Sequence, residues 1–302
     1  MDLVDKTLSR FNPESELSRL NEYTVIPPVV SRLLWDALDW ALTAAEITDR
    51  LYDPTVLNAL LDAGYDRDFS ELQQEQSGLP VLSMLPDPFM LHNEPGRGSE
   101  VGGWRLVERD PVDRTVALPS ILKLDLGGTA KGWAADRALQ MLAPLGPSLV
   151  NAGGDVAVSG SYPDDTGWKI GIRVPYGYPG SDHMKGPLAV LQTGTCGIAT
   201  SGIDYRWWNH KGSRNHHLID PSTQQPAVTD LLSASVIAPD VARADLFASV
   251  VMILGMEQGA AFLEAHTDFE GLLVGMDGTC WQSSGLHSIL YEPVRELAKE
   301  KV

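Results

Sequence analysis

The sequence predicts an α+β fold, and three observations carry that expectation. Long helical patterns are few and far apart. Short apolar or alternating runs crowd the intervals between them, and the two kinds of element do not follow the regular βα order of a parallel sheet. The first helix lies within residues 29–50, where Val30, Leu33, Leu34, Ala37, Leu38, Ala41, Leu42 and Ala45 recur at helical spacing. It stops before Leu51-Tyr52-Asp53-Pro54, because the proline pushes Asp53 out of the helical region. Residues 70–103, Gln-rich and then Pro- and Gly-rich, read as an irregular excursion or weak elements. Trp104 to Val107 and Thr115 to Leu118 read as short strands around the turn Asp110-Pro111-Val112-Asp113, and a third strand leads into Asp125.

A second helix follows from Ala130 to Leu142, with Ala134, Ala138 and Leu142 on one stripe. Ser148 to Val150 reads as a buried strand, and Trp168, Ile170, Ile172 and Val174 alternate with Lys169, Gly171 and Arg173 at the period of a half-buried strand. Further strands are expected at Leu188 to Gln192, Ile198 to Ser201, His217 to Ile219, Ser233 to Ile237 and Leu272 to Met276. Ala242 to Ala265 is the third long helix, turning Leu246, Val250, Ile253 and Leu254 inward. No internal repeat is visible.

The 302 residues, 43% of them apolar, suffice for a sizeable core in one large domain or two smaller ones. A formal charge of −17 argues against nucleic acid and against anionic lipid, both of which demand a basic surface. Any anionic ligand must be held locally against that field, and a metal ion would help. Cys196 and Cys280 are far apart and outside any C-x-x-C spacing, so neither a disulfide framework nor a thiolate zinc site is expected, while a single bridge stays open. No signal-peptide run, lipid-accepting cysteine or membrane-length apolar stretch is evident, so a cytoplasmic protein is expected.

Asp125-Leu-Gly-Gly-Thr-Ala-Lys131 couples an apolar strand to a Gly-Gly turn and a helix opening with lysine. Amides freed at such a turn, the positive helix end and one ammonium converge on a place that suits phosphate. A tight turn with a solvated lysine fits the same residues. Asp245 and Ser249 are four apart and share one helix face, offering hard oxygens of the kind Mg²⁺ takes alongside water and phosphate. A dipole-complementing aspartate beside a small packing residue is the alternative. Thr200-Ser201-Gly202 lies near Trp207, Trp208 and a His216-His217-x-x-Asp220-Pro221 run, and strand geometry lets at most one of the two histidines face a given site.

Six segments in order resemble the FAD:protein FMN transferase family, or ApbE-type flavin transferases. They are Ser9 to Asn21 (SRFNPESELSRLN), Tyr52-Asp-Pro-Thr-Val56, Leu124 to Asp136, Val150-Asn-Ala-Gly-Gly-Asp155, the Thr-Ser-Gly to His-x-x-Asp-Pro run, and the Ala244-Asp245 helix. The resemblance spans nearly the whole chain and implies a single ApbE-like domain over residues 1–302, related to the T-fold, with 70–103 as an insertion. Family members begin with a strand bearing Met-Gly-Thr; this sequence starts after it, so that N-terminal strand is expected to be missing.

What the resemblance implies is a Mg²⁺-dependent enzyme that splits FAD and attaches FMN to a threonine of an acceptor flavoprotein, releasing AMP. By matched position, Asp245, Ser249 and the carbonyl of Gly128 would hold magnesium. Phe11, Leu51, Tyr52, Asp53, Lys131 and Ile219 would contact FAD, and His217 would deprotonate the threonine. Two departures from the family pattern are Ser249, where threonine is commoner, and Gln224, where glycine is usual. Two other activities stay open: a protein that holds FAD and Mg²⁺ without transfer, and a hydrolase that yields FMN and AMP.

Overall fold

The computed structural model describes residues 2–22, 25–75, 102–161, 166–178, 181 and 184–295. The chain opens with helices α1 (Asp2–Leu8), α2 (Glu16–Leu20), α3 (Arg32–Ile47), α4 (Leu57–Asp62) and α5 (Phe69–Glu75). Ser15 and Ser31 start α2 and α3 as hydroxyl caps, each accepting an amide proton three residues on. The hairpin β1 (Glu108–Asp110) and β2 (Thr115–Ala117) precedes α6 (Ala130–Leu142). Then come β3 (Ser148–Ala152), β4 (Asp155–Ser159), β5 (Trp168–Ile172), β6 (Ala189–Thr193) and β7 (Cys196–Gly202). The short strands β8 (Trp207–His210), β9 (Ser213–His216), β10 (Ile219–Asp220) and β11 (Gln225–Pro226) lead to β12 (Leu231–Ala238) and helix α7 (Val241–Ala265). The described part closes with β13 (Glu270–Gly275), β14 (Cys280–Gln282) and β15 (Leu290–Glu292).

Six strands form one sheet in the order β14-β13-β12-β7-β4-β3, every neighbour antiparallel. Its two faces carry residues of different size. Ala157, Ala199, Ala234 and Ala238 lie beneath α7, whereas Val156, Val158, Ile198 and Ile237 meet the three-stranded sheet β15-β6-β5 on the opposite side. The small face lets α7 lie close. At Gly197 an added Cβ would sit 2.1 Å from the Asp240 carbonyl carbon and the Val241 nitrogen, an approach only glycine permits. Helices α1 to α3 and α6 enclose a second apolar cluster around Leu17, Leu34, Leu38, Leu124 and Leu126. The layers are therefore helices, mixed-size sheet and a smaller sheet, which is α+β as expected.

Several local expectations change. Trp104 lies in a 3-10 turn, Gly103–Leu106, because Gly102 is left-handed at φ 78° and Gly103 packs too close to Thr55 and Leu122 for an extended run. The expected strand into Asp125 is reduced to one bridge, Val56 to Lys123. Residues 69–75 are helical where an irregular segment or weak elements were expected, and 76–101 of that segment lie outside the described residues. His217 is a bend between β9 and β10, not strand. Helix α7 is, contrary to expectation, long and apolar enough to cross a membrane, with a mean hydropathy of 1.7 over its best window. That apolar length serves the core, since α7 packs on β7 and β12 and its backbone breaks at Gly255 with φ 77° and ψ −177°. No disulfide joins Cys196 and Cys280.

Candidate active site

The Gly-Gly corner is fixed from below. Asn21 clasps Leu124 through both backbone groups, at 2.7 Å to its nitrogen and 2.8 Å to its oxygen, and Leu124 and Leu126 are buried. Asp125 accepts the Gly127 amide at 2.8 Å and pairs with Arg10 at 2.6 Å. Gly128 lies close against the Tyr52 ring, which a Cβ there would approach to 3.1 Å. The Tyr52 hydroxyl meets Thr129 at 3.0 Å, and burial drives its pKa far above the ordinary phenol range, so it stays protonated.

The corner is not the open anion hole its sequence suggests. The amides of Thr129 and Ala130 bond to Leu126, and the Gly132 amide donates to Asp245 at 3.2 Å. Lys131, second residue of α6, reaches Asp155 at 2.5 Å and Asp245 at 3.5 Å. The amides of Gly127, Thr129, Ala130 and Gly132 are thus spent on the chain's own carbonyls and carboxylates. An anionic ligand here needs charge from elsewhere.

Helix α7 supplies hard oxygens. The Asp136 carboxylate accepts the Val241 and Ala242 amides at 3.2 and 2.8 Å and so fixes the helix start. One turn further, Asp245 is 3% exposed, and one more turn brings Ser249, whose Oγ lies 2.9 Å from Ser201 Oγ on β7. Burial pushes the Asp245 carboxyl up to about 6; Lys131 and the Gly132 amide oppose the shift, while Asp155 adds to it. A cation placed beside it would favour the charged form. Among the described residues no group of three or more His, Cys, Asp or Glu forms a closed metal cage.

The β8–β9 hairpin carries the histidines. Its register pairs Trp207 with His216, so the next positions outward, Arg206 and His217, stand opposite one another. Trp208 anchors the hairpin: it is 1% exposed, donates to the Ala63 carbonyl at 2.6 Å and stacks on Tyr65 at 4.7 Å. The two histidines part company, as strand geometry requires. His216 turns into the core, accepting the Leu218 amide at Nδ1 and donating from Nε2 to Ala227 at 3.0 Å, and burial lowers its pKa to about 4. His217 faces the site with Nδ1 enclosed and unpartnered, its pKa held well below the usual value first by burial and then by Arg206, His216 and Lys131. It is a neutral imidazole.

These parts surround one cavity of about 530 Å³, a size suited to a nucleotide-like ligand. All ten residues singled out in the sequence line it: Phe11, Leu51, Tyr52, Asp53, Gly128, Lys131, His217, Ile219, Asp245 and Ser249. Phe11 and Tyr65 form an aromatic wall with centroids 5.4 Å apart, and Phe11 is partly exposed toward the opening. Asp53 is 2% exposed and spends one oxygen on the Thr55 amide and hydroxyl, stapling the loop that holds Tyr52. Sequence reasoning gave no role to Arg10, Asp155, Arg173, Asp204 or Arg206, which also line the cavity. For Arg206 the signal was available in principle, since pairing the run that bears both tryptophans with the histidine-bearing run as a hairpin sets it across from His217. For Asp155 no spacing in the chain reveals its pairing with Lys131.

Comparison with known proteins gives a consistent answer. Residues 1–273 match the family described as the ApbE family. A FAD:protein FMN transferase of Treponema pallidum is 30% identical over 306 residues, covering 93% of this chain and 76% of its own. One from Vibrio cholerae is 27% identical over 270 residues, covering 88% and 74%. Among solved structures, the ApbE protein of Thermotoga maritima superposes with a TM-score of 0.76 at 24% identity, over 97% of this chain and 89% of that one. The flavin transferase ApbE of Vibrio cholerae superposes with a TM-score of 0.69 at 25% identity, over 96% and 87%.

Proposed function

The chain belongs to the ApbE family, and on that premise we propose that it moves FMN from FAD onto a threonine hydroxyl of an acceptor flavoprotein, using Mg²⁺ and releasing AMP. It is a FAD:protein FMN transferase, the activity for which its relatives from Treponema pallidum and Vibrio cholerae are named. The observation that carries the finer reading is the convergence of Lys131, Asp245, Ser249 and His217 on one cavity large enough for a flavin nucleotide.

The donor set fits magnesium. One buried carboxylate and one hydroxyl, a helical turn apart, are hard oxygens too few to enclose the ion, which leaves positions for water and phosphate. Asp245 and Ser249 would hold it, with the Gly128 carbonyl as a third ligand. Bound there, Mg²⁺ would supply positive charge against the diphosphate as its phosphoanhydride bond breaks and the new phosphoester forms. Lys131 keeps the facing carboxylates compensated and adds its own ammonium to the same space. The threonine oxygen attacks the phosphorus on the riboflavin side, the bond to AMP breaks, and His217 takes the hydroxyl proton on a ring nitrogen. A neutral imidazole is the form that can accept it. Phe11, partly exposed and tilted 57° to Tyr65, offers an apolar edge of the cavity to a planar ring.

The test is direct. Protein incubated with FAD, Mg²⁺ and a threonine-bearing acceptor yields flavin fluorescence on the acceptor that survives denaturing electrophoresis, together with AMP. FMN and AMP without a labelled acceptor mark hydrolysis instead, and bound but unaltered FAD marks a binding protein.

A further inference from the structure

We propose that Arg206 is a phosphate-contacting residue of this site, the one cavity-lining cation that no ion pair claims among the described residues, placed to meet the anionic part of a flavin nucleotide. The inference rests on the reading of the cavity as a flavin-nucleotide site. Five aspartates line it, Asp53, Asp125, Asp155, Asp204 and Asp245, against four cations, Arg10, Lys131, Arg173 and Arg206. A diphosphate entering such a surface meets net repulsion unless some cation is unclaimed. Arg10 is bound to Asp125 at 2.6 Å, Lys131 to Asp155 at 2.5 Å and Arg173 to Asp204 at 2.7 Å. Among the described residues Arg206 has no ion pair or side-chain hydrogen bond, although it is exposed and lines the cavity.

Its placement is built rather than incidental. The hairpin register sets Arg206 opposite His217, and its backbone hydrogen-bonds the His217 ring. Trp208, two residues on and buried, holds the strand that carries it. The charge of Arg206 is felt at His217, Lys131 and Tyr65, which places it between the proton acceptor, the α6 lysine and the aromatic wall, and also at Asp68, with which it makes no ion pair. A planar fork of N–H donors at that position suits a phosphate better than a point charge does.

The experiment compares two ligands that differ by one phosphate. FMN and riboflavin are titrated by flavin fluorescence into the parent protein, Arg206→Met and Arg206→Lys, with urea unfolding as a check on folding. Arg206→Met should weaken FMN by about 10- to 100-fold and leave riboflavin unchanged, the loss expected of a charge-assisted hydrogen bond, and Arg206→Lys should recover part of it. Equal weakening of both ligands, or of neither, overturns the inference. So does loss of transfer to the acceptor with FMN affinity intact, which would assign the cation to the acceptor. A parent protein that binds FMN no tighter than riboflavin removes the phosphate contact while sparing the cavity; one that binds neither removes the flavin reading beneath it.

Discussion

Gly132→Ala sets helix propensity against packing at the place where α6 crosses α7. Alanine in a helix is favoured over glycine by about 1 kcal/mol, so the substitution would stabilise a free helix. Here the new Cβ would lie 2.6 Å from the Val241 carbonyl oxygen, 2.9 Å from Asp245 Cβ and 3.0 Å from Ala242 Cα. Ordinary contact needs about 3.5–4.0 Å, so the helices must separate by roughly 1 Å. Two of those atoms are backbone in the first turn of α7, which Asp136 holds in place, so no flexible side chain can yield. Overpacking of this kind costs about 1–3 kcal/mol, and stretching the bond from the Gly132 amide to the Asp245 carboxylate adds about 1.5–3 kcal/mol. Packing wins, with net destabilisation of about 1.5–5 kcal/mol. Urea unfolding should show a lower midpoint at unchanged slope, and Mg²⁺-dependent AMP release should fall with it. A variant at least as stable as the parent, with the same Mg²⁺ requirement, would refute the crossing geometry.

Asp245→Ala should abolish Mg²⁺-dependent AMP release while circular dichroism stays native, and undiminished turnover would remove Asp245 from the chemistry. His217→Ala should slow transfer more than it weakens FAD binding; equal losses in both would make the ring a structural one. His216, lowered from 6.5 to about 4, is neutral in the fold and protonated in the unfolded chain between those values. The unfolded state then binds the extra proton, so stability should be full above about pH 6.5 and fall by up to about 3 kcal/mol as pH drops toward 4. His217 is held low by the same burial and keeps its own share, so His216→Leu should lessen the fall of the urea midpoint across that window, and an unchanged slope would relocate the titration.

The core helices were legible because their apolar stripes are long. Ala130–Leu142 is found as expected, and Arg32–Ile47 lies inside the expected span, trimmed by the Ser31 cap and by Thr48 bonding back to Ala44. The strands β8 and β9 were not legible, since their tryptophans, histidines and asparagines alternate for tertiary reasons, with Trp208 filling a hole under Tyr65. The site residues named from the six matched segments do share a cavity, but the charge pattern inside it was hidden. Arg10 with Asp125, Lys131 with Asp155 and Arg173 with Asp204 join positions far apart in the chain, and only packing decides which cation is claimed. Gly102 and Gly103 misled for a related reason: a left-handed turn and a close approach are backbone facts that neighbouring apolar residues do not signal.

The alanine layer under α7 makes chemistry and architecture share one tolerance. Replacing Ala157, Ala199, Ala234 or Ala238 by valine would lift the helix that carries Asp245 and Ser249 while the rest of the sheet still pairs. Drift in that layer should therefore surface as well-expressed, soluble protein with impaired turnover, and a screen for abundance alone would pass over the positions on which the reaction most depends.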